Sequence, residues 1–206
     1  LLRSDHLAAH ASSHRAGEAA AVMGEVAIAP GLSSGPWSRY LTMDVARVNG
    51  LKRIQKILDP MLCETGNCSL PREAFLRLGG FDEGMRLYGC EDFELALRLG
   101  KAGIPLAFRP DLKVLHRTDM VTLSTVARKS FGRGFNAVRV ARAHPERARE
   151  LGGGPFPKAP LHRLFYPAWV LLAYAAWATG LPSLSVLACH RVAFTWRMQG
   201  ILRAMR

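Results

Sequence analysis

Three acids in four residues, Glu91, Asp92 and Glu94, open a run that reads as an amphipathic helix with Phe93, Leu97 and Ala96 inward and Gly100 or Gly103 with Pro105 at its end. Acids in a first turn interact favourably with the helix dipole, worth about 0.3–1 kcal/mol each, without doing any chemistry. The same field keeps a carboxylate ionised, so it can accept a hydroxyl proton as a bond forms, a step typically worth ~10²–10⁴-fold. Downstream, His116 closes an extended segment, where a histidine either caps a sheet or coordinates a divalent ion beside phosphates. Upstream, Gly66-Asn67 is a turn pair that tolerates positive φ and lets a ligand approach the backbone, although a lone dipeptide means only a turn. His6, His10 and His14 stand at i, i+4 and i+8 of a helix read over residues 2–14. They could form a metal stripe, but no acid or cysteine converges on them, so a surface or packing face is the preferred reading.

The elements that must position these residues follow from spacing. Residues 20–29 are short, small and partly β-branched before Pro30-Gly31, which reads as a buried strand. From Pro36 to Leu58 apolar residues recur at three and four, a helix that Gly50 could divide and Asp59-Pro60 stops. Met61 to Thr65 reads as a short strand or extended segment ending at Gly66-Asn67. Pro71 sits where a first turn accepts it, and Arg72 to Leu78 forms a short helix ended by Gly79. Residues 80–84 make a second turn with Phe81 anchored in the core. Ile104 to Phe108 and Leu112 to Leu115 read as two extended segments separated by Arg109-Pro110-Asp111.

At 206 residues and 49% hydrophobic content the chain can bury one sizeable core, or one core with an appendage. Cys63, Cys68, Cys90 and Cys189 form no C-x-x-C pair and read as reduced thiols in a cytosol-facing protein. Residues 1–112 hold 13 Lys and Arg against 13 Asp and Glu, whereas residues 113–206 hold 15 against 3. A balanced domain thus carries a basic tail, which suggests a polyanionic surface, membrane or nucleic acid. Val121 to His144 reads as a basic helix, with a solvated or membrane-facing surface favoured over nucleic-acid binding because stacking aromatics are few. After Gly152-Gly153-Gly154-Pro155, Leu164 to Cys189 runs 26 residues without a charge. A bilayer span needs ~20 apolar residues, so the length suffices, but Pro167, Gly180 and Pro182 interrupt it. Three readings stay open: a transmembrane helix, a broken hairpin in one leaflet, and a buried helical pair.

Residues 65–116 resemble the second half of the catalytic domain of family-2-type glycosyltransferases with the GT-A fold. The resemblance is carried by a Gly-Asn-x-Ser turn and short helix, then Gly-Gly-Phe-Asp-Glu, then Tyr-Gly-Cys-Glu-Asp-Phe-Glu-Leu, Arg98 and the strand-end His116. It implies an α/β fold, a partial GT-A (Rossmann-like) glycosyltransferase domain with a C-terminal helical, membrane-associated appendage. It also implies transfer of a sugar from a nucleotide-sugar donor to an acceptor hydroxyl, usually with inversion. Carried over by position, Asp92 is the general base and Glu91 its neighbour at the acceptor site. Gly66, Asn67 and Gly80 shape the substrate pocket, Arg98 braces the acidic helix, and His116 completes coordination of Mn²⁺ or Mg²⁺. One departure stands out: no Asp-x-Asp occurs in the chain, and the first residue is Leu1 rather than Met. The expectation is therefore that a donor-binding half lies upstream and that these residues alone do not turn over. The expected organisation is a glycosyltransferase portion over 1–120, a basic helical segment over 121–150, a linker over 151–163 and a hydrophobic membrane-associated segment over 164–206. Expected partners are a nucleotide-sugar, a glycan or lipid-linked acceptor and a membrane, without nucleic acid, the catalytic part facing the cytoplasm. A non-catalytic glycosyltransferase-like binding module and a basic nucleic-acid-binding protein remain as alternatives.

Overall fold

The computed structural model describes residues 3–15, 21–31, 35–118, 121–151 and 164–206. The expected linker over 151–163, apart from Leu151, and the start of the expected strand at Ala20 lie outside them. Chain contacts gather into two units. The first takes residues 1–30, 43–84 and 91–117, and the second takes 31–42, 85–90 and 118–206.

The first unit is built on a mixed sheet in the order β2-β1-β3. Strand β1 (Ala21–Ile28) is central, β2 (Cys68–Ser69) lies antiparallel beside it, and β3 (Leu106–His116) is parallel on its other side. Helix α1 (His6–Arg15) precedes β1, and α2 (Pro36–Arg53) follows it. Gly50 does not divide α2; the helix instead ends at Arg53, short of Leu58. Over the expected strand or extended segment from Met61 to Thr65, only Cys63 and Glu64 are extended, between two 3₁₀ turns, Pro60–Leu62 and Thr65–Asn67, the first capped by Asp59, which accepts from the Met61 N–H. Helix α3 (Arg72–Arg77) and helix α4 (Glu91–Lys101) complete the unit.

Its core gathers Ala21, Met23, Leu58, Leu95, Ala96, Leu99, Ile104 and Leu106. Helix α4 turns Leu95, Ala96 and Leu99 inward; of the expected inner face Ala96 and Leu97 are buried and Phe93 is only half-buried. Phe81 is also displaced from its expected place: it is 40% exposed and packs edge-on against Phe75. The two expected extended segments around Arg-Pro-Asp are one strand. Gly24 pairs with Arg109 and Val26 with Val114, so residues 110–113 bulge opposite Glu25.

The second unit is helical. Helix α5 (Leu123–Ala143), capped by Thr122, packs with α6 (Tyr166–Ala178) and α7 (Pro182–Ala204). Trp37, Val126, Ala173, Ala188, Cys189 and Val192 are buried together. The basic helix is thus an internal strut whose small residues sit inward. A Cβ on Gly134 would lie 1.9 Å from the Arg197 carbonyl oxygen, and one on Gly200 would lie 2.0 Å from that of Phe131. The uncharged run over 164–189 is two helices, because Gly180 takes φ +73° and Pro182 starts the next helix. Among the described residues no helix is long and apolar enough to cross a membrane, so the single-helix reading of that run is set aside.

Candidate active site

Asp92, at the second position of α4, is held by a residue 27 positions upstream: the Thr65 hydroxyl donates to its Oδ1. Burial pushes the Asp92 carboxyl above its ordinary value, and the neighbouring Glu91 and Glu64 carboxylates add to that, while the Thr65 hydroxyl and backbone oppose it. Glu91 has one carboxylate oxygen, Oε2, that is shielded from solvent and has no hydrogen-bond donor. The pair thus combines a carboxylate of raised proton affinity with a second acceptor oxygen still unsatisfied. Cys90, just before them, has φ +74°, and it is the single non-glycine residue with positive φ among the described residues.

The segment before Thr65 is fixed by Lys52, whose side chain is wholly buried and whose Nζ lies 2.5 Å from Glu64 Oε2. A buried ammonium needs such a partner to remain charged. Cys68 and burial push the Cys63 thiol up, and neither cysteine forms a disulfide.

Arg98, two turns along α4, grips Glu94 through Nε at 2.7 Å and Nη2 at 2.5 Å. Its guanidinium also donates to the carbonyls of Leu78 at 2.6 Å and Gly80 at 2.7 Å. It thereby pins the turn in which Gly79 and Gly80 both take positive φ. Arg98 and Gly80 are brought together as scaffold for the acidic helix.

Asn67 is where the structure departs furthest from a substrate-binding role. Its Nδ2 donates to the carbonyls of Glu25 at 3.1 Å and Leu112 at 2.7 Å. The amide oxygen therefore faces α1, where His6 Nε2 lies at 2.9 Å and His10 Nε2 at 3.1 Å. Both imidazoles must donate through Nε2, so His10 Nδ1 accepts from the Ser69 hydroxyl at 2.7 Å. His14 Nε2 then donates to the same Ser69 oxygen at 2.8 Å. The histidine stripe is a packing face after all, and burial lowers the His10 pKa, in keeping with its neutral role. Gly24 admits this arrangement, since a Cβ there would lie 2.3 Å from Asn67 Nδ2. Neither Gly66 nor Asn67 uses positive φ, yet a Cβ on Gly66 would meet nothing within 4 Å, so the backbone there is open to approach.

His116 ends β3 opposite Ile28, with its side chain exposed. No group of three or more His, Cys, Asp or Glu converges to hold a metal among the described residues. One exposed imidazole does not make a metal site, so the residues present do not fit a bound ion by themselves. Lys52, Glu64 and Thr65 are site residues that sequence reasoning missed. Thr65 was detectable from its place beside Gly66, whereas nothing local marks Lys52 as buried.

Residues 42–144 match the family described as "Glycosyltransferase like family 2". Validoxylamine A glucosyltransferase of Streptomyces hygroscopicus subsp. jinggangensis is 33% identical over 114 residues, 51% of this chain and 25% of that protein. Its counterpart from subspecies limoneus is 33% identical over 114 residues, 51% of this chain and 24% of that protein. The uncharacterized glycosyltransferase YfnE of Bacillus subtilis is 42% identical over 53 residues, 26% of this chain and 14% of that protein. The matched regions thus span a quarter or less of these relatives. No solved structure matches the chain.

Proposed function

We infer the function from one premise: this chain belongs to the glycosyltransferase-like family 2. At that level it is a transferase of glycosyl groups. We propose further that it carries the acceptor side of a GT-A site, with a nucleotide-sugar as donor and a hydroxyl of a glycan or a lipid-linked sugar as acceptor. The observation that carries this reading is the pairing of Asp92, bonded to Thr65 and raised in pKa, with the unsatisfied Oε2 of Glu91.

The chemistry follows from those atoms. An acceptor hydroxyl seated beside the Asp92 carboxylate presents its oxygen to the anomeric carbon. As the new C–O bond forms, the bond from that carbon to the diphosphate breaks. The nucleoside diphosphate leaves with the electron pair, and the hydroxyl proton passes to Asp92. A single displacement of this kind inverts the anomeric centre. The raised pKa suits the task, since a base works best when its pKa approaches the operating pH. Gly66 lends open backbone beside Thr65, and Arg98 with Gly80 keeps α4 in place. A divalent ion on the diphosphate would need ligands beyond His116, and no step here runs through one.

The test is nucleoside-diphosphate release from a panel of nucleotide-sugars by the full-length protein, with product configuration read by NMR. Asp92→Asn is expected to lower turnover by about 10²–10⁴-fold. Transfer within a few-fold of wild type would remove Asp92 as the base. Glycan binding without turnover by the wild type would favour a non-catalytic module.

A further inference from the structure

The α6–α7 hairpin of the second unit presents an outer face that water does not favour. Along α6 the exposed positions are Ala168, Leu171, Ala175 and Ala178, at one helical phase, and Leu171 is 71% exposed. Leu181 in the turn is 53% exposed, and Leu187 on α7 is 48% exposed. Solvated helices carry polar residues on such a face, and contiguous apolar surface marks an interaction site. At 13 residues α6 is about 20 Å long, well short of a ~30 Å hydrocarbon core, so it cannot span one. The hairpin is also preformed: the Ser185 hydroxyl donates to the Ala173 carbonyl at 2.7 Å, and Trp37 Nε1 donates to the Tyr174 hydroxyl at 2.8 Å.

A second observation points to the same occupant. The unit holds an open cavity of about 800 Å³ walled by Phe131, Tyr166, Tyr174 and Trp196, with Arg128 the only charged lining residue among the described ones. Tyr174 belongs both to this wall and to the exposed surface of α6. An apolar slot with one guanidinium in its lining matches an acyl chain with an ester or phosphate oxygen at its head.

Charge selects among possible partners. Residues 151–206 contain no Asp or Glu and six Lys or Arg, with Arg191 set over the Trp169 ring at 6.0 Å. A second copy would bring the same acid-free surface and be repelled, whereas an anionic bilayer complements it. We propose that the α6–α7 hairpin docks in the plane of an anionic phospholipid surface, with the aromatic cavity taking an acyl chain, and that it does not span the bilayer.

The experiment is co-sedimentation of the full chain with vesicles of phosphatidylcholine alone and of phosphatidylcholine with phosphatidylglycerol. The anionic vesicles are expected to bind at least tenfold more protein, and Leu171→Glu with Leu187→Glu to abolish that gain while circular dichroism stays unchanged. Because both leucines are solvent-exposed, Leu171→Ser with Leu187→Ser serves as a milder check on folding and should weaken binding in the same direction. Alkaline carbonate is expected to release bound protein. Absence of vesicle binding overturns the proposal, as does equal binding by the glutamate variant. Resistance to carbonate overturns the in-plane geometry, and a dimer dissociated by the glutamate variant assigns the face to a second copy.

Discussion

Asp92 sits under opposing influences, and each can be removed singly. Glu91→Gln deletes a carboxylate that raises the Asp92 pKa, so the acid limb of the pH–rate profile should move to lower pH. Thr65→Val deletes the hydroxyl that lowers it, so the limb should move up. A raised folded-state pKa means that ionised Asp92 disfavours folding at neutral pH; this penalty fades as pH falls through the raised pKa and is gone below the ordinary carboxylate value. The Asp92→Asn protein should therefore melt no lower than wild type at pH 7, with any advantage shrinking toward pH 4. Asn67 behaves oppositely: Asn67→Ala strands two backbone carbonyls and two imidazole N–H groups, at roughly 3 kcal/mol or more, read as a fall in melting temperature. The acidic triplet was legible because a helix start is a local matter. The periodicity of His6, His10 and His14 was equally visible, but their partners Asn67 and Ser69 lie 55 to 61 residues away, and no local pattern names them.

At the scale of elements, spacing located most helices and strands but not their rotation. The short apolar period in α4 is satisfied by either face, and tertiary packing against Met23 and Leu106 chose Leu95, Ala96 and Leu99. Pro110 did mark an interruption, which proves to be a bulge within β3 and not a gap between strands, because Asn67 satisfies the Leu112 carbonyl within the bulge. The contact between α5 and α7 could not be read at all, since Gly134 and Gly200 look like ordinary helix-weakening residues until the two backbones are seen to touch. Alanine normally gains about 1 kcal/mol over glycine inside a helix. In Gly200→Ala that gain should be outweighed by overlap with the Phe131 carbonyl, for a net loss of about 1–3 kcal/mol in chemical denaturation.

Across the whole molecule, the charge imbalance seen in the sequence coincides with architecture: the balanced residues furnish the sheet unit, and the basic residues furnish most of the helical one. The two are interleaved along the chain, because residues 31–42 and 85–90 belong with the helices. A chain cut after Arg117 would leave Trp37 without Tyr174 and the carbonyls of Leu87 and Gly89 without Asn136. Limited proteolysis of that shortened chain should open rapidly at both segments while the same sites resist in the whole protein. The meeting of Gly134 with the Arg197 carbonyl has a further consequence during synthesis. A ribosome adding ~5–20 residues per second needs several seconds to travel from the first of these positions to the second. For that interval α5 has emerged without its partner, so its inward stripe of Val126, Ala127, Ala137 and Val140 is the stretch on which a nascent-chain chaperone would be expected to settle.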